Sequence, residues 1–203
     1  MSDHFYTIHP TGENAPNYAY EGDVGFVFPA QAPETIALNR YFNPHIGDHL
    51  YTTDLTEGAQ AVQAYGYVPE GVAAYVYPVA STQVQTQPLY RWFNGSDHFY
   101  CLDPKGEIGP ANGYRAEGVA CKVLVVAVAG SVPFHRWFNA GPMNFCVILS
   151  TSTGEVVAKR GIQSVSAKAA EIVAPGVIDA YNNEPSTIAA YKASHFRVAP
   201  GKC

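Results

Sequence analysis

Apolar and polar positions alternate through most of the chain in short runs, such as "GVAAYVYP" at 71–78, "LYRWFN" at 89–94 and "DHFYCL" at 97–102. Alternation over so few residues predicts β-strands. The segments between them, "PHIG" at 44–47, "VPEG" at 68–71, "GS" at 95–96 and "DPKGEIGPANG" at 103–113, carry turn chemistry. The apolar run "CKVLVVAVAG" at 121–130 is too short to span a membrane and reads as a core strand. After about residue 150 the period changes. In "SVSAKAAEIVAPGVIDAYNN" (164–183) Ala170, Val173 and Val177 fall at helical spacing, and "EPSTIAAYKASHF" (184–196) opens with a capping segment.

The predicted strands recur as a set. An Asp-His-(Phe/Leu)-Tyr element begins at Asp3, Asp48 and Asp97, and a Glu-Gly element at Glu21, Glu70 and Glu117. An Arg-(Trp/Tyr)-Phe-Asn element begins at Arg40, Arg91 and Arg136, and steps between equivalents run from 45 to 51 residues. The modules occupy about 2–31, 36–80 and 86–128. The first lacks its Arg-Trp-Phe-Asn strand, and the last copy of that strand has no Asp-His-Phe-Tyr after it. The strand at 133–139 is therefore expected to complete the first module and close a ring, which removes exposed strand edges. The expected architecture is an all-β core over residues 1–149, a β-trefoil-like ring with a three-bladed β-propeller as the competing form. Residues 150–203 are expected to form an extension with some helix, packed on that core.

Composition narrows the function classes. Of the 203 residues 47% are hydrophobic, so the chain has the material for a core, and only 14% are charged. Fourteen tyrosines and ten phenylalanines leave a surface of aromatic and amide groups rather than ions. A net charge of −5 with scattered basic residues excludes the electrostatic footprint of a nucleic-acid binder. The start, "MSDHFYTIHP", lacks the basic and apolar regions of a signal peptide, which suggests a cytoplasmic protein or release by an unconventional route. No run is long enough for membrane insertion. Cys101, Cys121, Cys146 and Cys203 lack zinc-ribbon spacing and are expected as reduced thiols.

The three recurring motifs together resemble a tyrosine-rich repeat domain of uncharacterised function, found in secreted bacterial and fungal proteins and often appended to peptidases or glycoside hydrolases. The resemblance covers roughly residues 2–140. It implies an accessory module, of cell-surface or carbohydrate-binding type, and no catalytic residues. In general form the chain is also similar to the leaderless defence lectins of fungi, a fold-level likeness.

Sugars stack an apolar face on Tyr or Trp while Asp, Asn and His fix their hydroxyls. The candidate carbohydrate-binding residues are therefore Asp3, His4 and Tyr6, Asp48, His49 and Tyr51, and Asp97, His98 and Tyr100, with Trp92 and Asn94. Up to three similar sites would give avidity for glycans or glycoproteins. The same sets would equally serve as internal hydrogen-bond networks, and Arg40, Arg91 and Arg136 are expected to pair with Glu21, Glu70 and Glu117 as scaffold. Two other readings stand beside the lectin. One is a protein-binding module such as a protease inhibitor, its specificity on the inserts at 54–65 and 103–113 and on the tail. The other is a metal-dependent hydrolase with His4, His49 and His98 converging on zinc at the threefold axis. Nucleophile-elbow, zincin and phosphate-loop signatures are missing, so neither catalysis nor a cofactor is expected, and a homodimer is compatible with the sequence.

Overall fold

The fold is that of a computed structural model, which describes residues 2–141, 143–164, 167–183, 193, 195–200 and 203. It is mostly β, and among the described residues the strands form three open sheets, of six, three and three strands, with no closed barrel; the six-stranded sheet unites two strand triplets. Three antiparallel triplets account for residues 3–139. One combines β3 (Ile36–Asn43), β4 (Asp48–Thr52) and β5 (Val68–Val76), in the order β4-β3-β5. The next combines β6 (Thr86–Phe93), β7 (His98–Cys101) and β8 (Arg115–Leu124), in the order β7-β6-β8. The third places β9 (Val132–Asn139) between β1 (Asp3–Thr7) and β2 (Ala19–Val27), with Asp3 opposite Asn139. In every triplet the arginine strand is central, the Asp-His strand lies on one side and the Glu-Gly strand on the other. The far ends of the Glu-Gly strands join one another cyclically, Phe26 to Leu124, Phe28 to Tyr75 and Tyr77 to Lys122.

The Glu-Gly steps are bulges within strands, not turns between them. Gly22, Gly71 and Gly118 sit opposite Arg136, Arg40 and Arg91, at register shifts and with φ of 130°, 102° and 111°. Only glycine adopts that backbone readily, and the extra residue aims the preceding glutamate at the arginine.

The insert at 54–65 is largely helical. Residues 55–65 form α1 (Leu55–Tyr65): the Asp54 side chain caps its first N–H groups from Thr56 and Glu57, and Gly66 ends it in the left-handed conformation.

The chain divides into two units after Asn139, ten residues before the boundary expected from the repeats. The reason is β10 (Met143–Ser150), which pairs with β11 (Val156–Ser164) and β12 (His195–Pro200) instead of with β9. In sequence, β10 stands where an Asp-His strand follows β3 and β6, but "MNFC" lacks the aspartate, histidine and tyrosine of those strands. The helix expected in 164–183 is α2 (Ala167–Asn182), which packs Ala174, Val177, Ile178 and Tyr181 with Val147 and Leu149 of the sheet. Most of the capping segment at 184–196 lies outside the described residues. No described helix is long and apolar enough to cross a membrane.

The core of the first unit is where β1, β4 and β7 meet. These strands are buried at every position, and Tyr6, Tyr51, Tyr100 and Phe134 are its largest fully buried side chains. The three tyrosines form a closed hydrogen-bond ring. The Tyr51 hydroxyl accepts from the Tyr6 N–H at 2.8 Å and donates to the Tyr6 carbonyl at 2.7 Å. Tyr100 does the same to the Tyr51 backbone, and Tyr6 to that of Tyr100. The rings pack edge-on at centroid distances of 5.3 to 5.6 Å. Each phenol thus covers one N–H and one C=O on a strand edge that no neighbouring strand reaches. Replacing Tyr51 by Phe leaves both groups buried and unsatisfied, so it is expected to cost roughly 2–5 kcal/mol in denaturant unfolding. A loss below about 1 kcal/mol would show that the ring is incidental to stability.

Candidate functional site

Beside the tyrosine ring, the Asp-His pairs form a second cycle. Asp3 Oδ1 accepts the His49 N–H at 2.9 Å, Asp48 Oδ1 that of His98 at 2.7 Å and Asp97 Oδ1 that of His4 at 2.9 Å. The other carboxylate oxygen takes the imidazole Nδ1, at 2.6, 2.6 and 2.9 Å in the same order. An ionised carboxylate only accepts, so Nδ1 carries the proton in each pair. The hydroxyls of Tyr18, Tyr67 and Tyr114 donate to Asp3, Asp48 and Asp97, so every carboxylate accepts three hydrogen bonds.

One carboxylate oxygen from each of the three buried aspartates lies within 4.8 Å of the other two. Among the described residues, they are the only set of three or more His, Cys, Asp or Glu side chains that converges so closely. The threefold axis therefore gathers the aspartates, whereas each imidazole sits in its own seam between modules.

Outward from each imidazole runs a chain of charges. Nε2 of His4, His49 and His98 faces Glu21, Glu70 and Glu117 at 3.7, 3.5 and 3.7 Å. Those glutamates hold Nε of Arg136, Arg40 and Arg91 at 3.1, 2.7 and 2.8 Å. The rest of each guanidinium clasps a glutamate that the sequence reading passed over. Arg40 takes Glu13, Arg91 takes Glu57 and Arg136 takes Glu107, at 2.8, 2.7 and 3.0 Å. Each of these glutamates stands next to a glycine packed on an aromatic of its own module. A Cβ on Gly12 would lie 2.8 Å from Trp137, and one on Gly106 2.7 Å from Trp92. The readable signal is a Gly-Glu or Glu-Gly pair nine or ten residues after each Asp-His.

The electrostatics follow from this packing. Burial opposes charge on His49, but the Asp3 and Glu70 carboxylates outweigh it and push its pKa up to about 9. Burial likewise opposes charge on Asp48, yet His98 and Tyr67 hold it below its ordinary range. The His49 imidazole lowers Glu70 outright. Glu13 and Glu57 are also lowered, their arginine partners overcoming burial.

An open cleft of about 410 Å³ lies at the seam between the third module and β1. Its walls include Phe99 and Phe138, whose rings flank the His4 imidazole at 4.8 and 4.5 Å. Asn112, on the exposed turn at 110–112, forms part of the rim, and Glu21 and Asn94 line the opening. Polar capacity remains free here. Asn94 Oδ1 accepts from the N–H groups of Ser96 and Asp97, which leaves its Nδ2 unpartnered. The Asn112 Nδ2 donates to the Ile108 carbonyl, which leaves its Oδ1 free.

Of the candidate sugar-binding residues, His4 and Asn94 line this cleft. Asp3, Asp48, Asp97, Tyr6, Tyr51 and Tyr100 are buried with their polar atoms engaged inside the protein. His49 and His98 occupy the other two seams, and Trp92 is buried against Gly106. Phe99, Phe138 and Asn112 were not singled out, because nothing in their spacing marks them as neighbours.

The cysteines depart from four reduced thiols. Cys146 and Cys203 form a disulfide, while Cys101 and Cys121 are free and buried. Burial pushes the Cys101 thiol up to about 11 and Cys121 up to about 12, so both stay protonated at neutral pH.

The model of a family described as Domain of unknown function (DUF5648) matches residues 1–124 and, in an overlapping second match, 79–168. No curated protein and no solved structure matches the chain.

The charge chains set a pH window for stability. His49 has a folded pKa above its ordinary 6.5, so its contribution is complete below that value and is lost as pH rises through about 9. The lowered carboxylates contribute fully above their ordinary values of 3.8 for Asp48 and 4.5 for Glu13, Glu57 and Glu70, and lose that contribution as pH falls below them. The melting temperature is expected to peak between pH 4.5 and 6.5 and to fall on both sides. In scanning calorimetry, His49→Gln flattens the alkaline limb; a wild-type melting temperature that climbs from pH 6.5 to 9 contradicts the assignment.

Proposed function

We propose, for a chain that belongs to the DUF5648 domain family, a non-catalytic carbohydrate-binding function seated in the cleft at the third seam. One observation carries the reading. Phe138 and the border of the buried Phe99 line the cleft together with amide atoms of Asn94 and Asn112 that have no protein partner and the Glu21 carboxylate. A sugar ring presents an apolar face and a rim of hydroxyls, and this cleft offers a surface for each. Its volume falls in the usual range for small-molecule sites. His4 and Asn94 act at the ligand, while Asp97 and Tyr114 orient His4 from behind.

The finer architecture is read as a three-bladed propeller rather than a trefoil. Its inner strands β1, β4 and β7 face one axis, and the three triplets stay open. The partners are glycans or glycoproteins. The Cys146–Cys203 bridge favours an oxidising compartment over the cytoplasm as the place of action.

A glycan array probed with the whole chain is expected to give selective signals, and a blank array sinks the reading. Asn112→Ala, at an exposed position, is expected to weaken the strongest hit by roughly 2- to 10-fold with the melt unchanged.

A further inference from the structure

We infer that the chain carries one such site, not three, and that the site takes a neutral sugar residue; this rests on the carbohydrate-binding reading. The threefold sequence offers three equivalent seams, but the atoms that make the third one receptive are not repeated. Asn94 has two counterparts, Asn43 and Asn139. Asn43 is buried and donates its Nδ2 to the Tyr65 carbonyl at 2.7 Å, across the end of α1. Asn139 is not free either. Among the described residues, the Asn94 amide has an N–H with no protein partner at the mouth of the cleft.

The apolar wall differs at one of the other two seams; at the seam of the first and second modules Phe5 and Phe42 flank His49 at 5.0 and 4.7 Å, as at the third. At the seam of the second and third modules, Leu50 stands where Phe99 stands here, so one aromatic face is missing. Asn112 belongs to the short turn at 110–112; the corresponding connector of the second module is the helix α1, while the first module keeps a short turn at Gly12–Asn14. The repeated groups, Asp, His, Tyr, Glu and Arg, are those bound into the internal network. The site joins repeated residues, His4 and Glu21, to an asparagine whose two counterparts are engaged elsewhere.

Charge selects the ligand class. No lysine or arginine lines the cleft, and its one carboxylate, Glu21, has Arg136 bonded from the protein side. A uronic or sialic acid would bring its own carboxylate against Glu21 with no cation to receive it. Hydroxyl and acetamido groups meet acceptors at Glu21 and Asn112 and a donor at Asn94.

The test is calorimetric titration of the whole chain with galactose, mannose, N-acetylglucosamine and glucuronic acid, together with three matched variants. Glu21→Gln, Glu70→Gln and Glu117→Gln disturb equivalent arginine pairs, so any common effect on the scaffold cancels between them. The expected result is one neutral sugar bound per chain, no heat with glucuronic acid, and affinity lowered about fivefold or more by Glu21→Gln alone. Asn94→Asp keeps the Oδ1 that caps its turn and loses the N–H, and is expected to weaken binding about tenfold or more. Three sugars per chain, with one lost in each glutamine variant, overturns the single site while leaving carbohydrate binding intact. Glucuronic acid bound as tightly as the neutral sugars overturns the charge selection. No heat with any sugar, beside a blank array, removes the carbohydrate reading itself.

Discussion

A strand edge facing an axis has no neighbour to bond, and here the neighbour is replaced by a phenol. Tyr6, Tyr51 and Tyr100 each reach to the next inner strand and satisfy both backbone groups of the equivalent tyrosine. The aspartates treat the histidine N–H groups in the same way. Side chains therefore supply along the axis what a further strand would supply in an extended sheet. The bulges, the arginine clasps and the glycine-backed aromatics all surround this arrangement and hold the modules at the separation it requires.

Much of the scaffold was legible in the sequence because it repeats. The Asp-His-Phe-Tyr and Arg-Trp-Phe-Asn runs alternate like strands and are strands, and the predicted pairing of Arg40, Arg91 and Arg136 with Glu70, Glu117 and Glu21 is present. Alternation misled in one respect. It assigns one face inward and one outward, but β1, β4 and β7 are covered on both faces and at one edge, so Asp and Tyr are equally buried. α1 was hidden by its shortness and by Gly58, although Asp54 and Gly66 mark its two ends. Glu13, Glu57 and Glu107 escaped because their distance from the motif varies and the order of glycine and glutamate changes. The Cys146–Cys203 bridge depends on β10 lying beside β12, a pairing that no local pattern encodes.

Repetition and chemistry have separated in this protein. A group present three times can be used three times in a closed network, and Asp, His and Tyr are used in that way. The cleft instead joins repeated residues such as His4 to single ones such as Asn112. Its walls inherit rigidity from the network behind them, since Asp97 fixes His4 through both ring and backbone.

The pairing of β1 with β9 also governs how the molecule can be made. β1 leaves the ribosome some 130 residues before the strand that flanks it, at Val132–Asn139. Its tyrosine and aspartate likewise bond to groups around residues 49 and 100. Until β9 emerges, β1 remains a strand with open edges, and the ring has no partial form in which all three tyrosines are satisfied. Contacts of such sequence separation slow folding and expose the nascent chain to wrong partners. The closed ring is thus committed only once β1 and β9 meet.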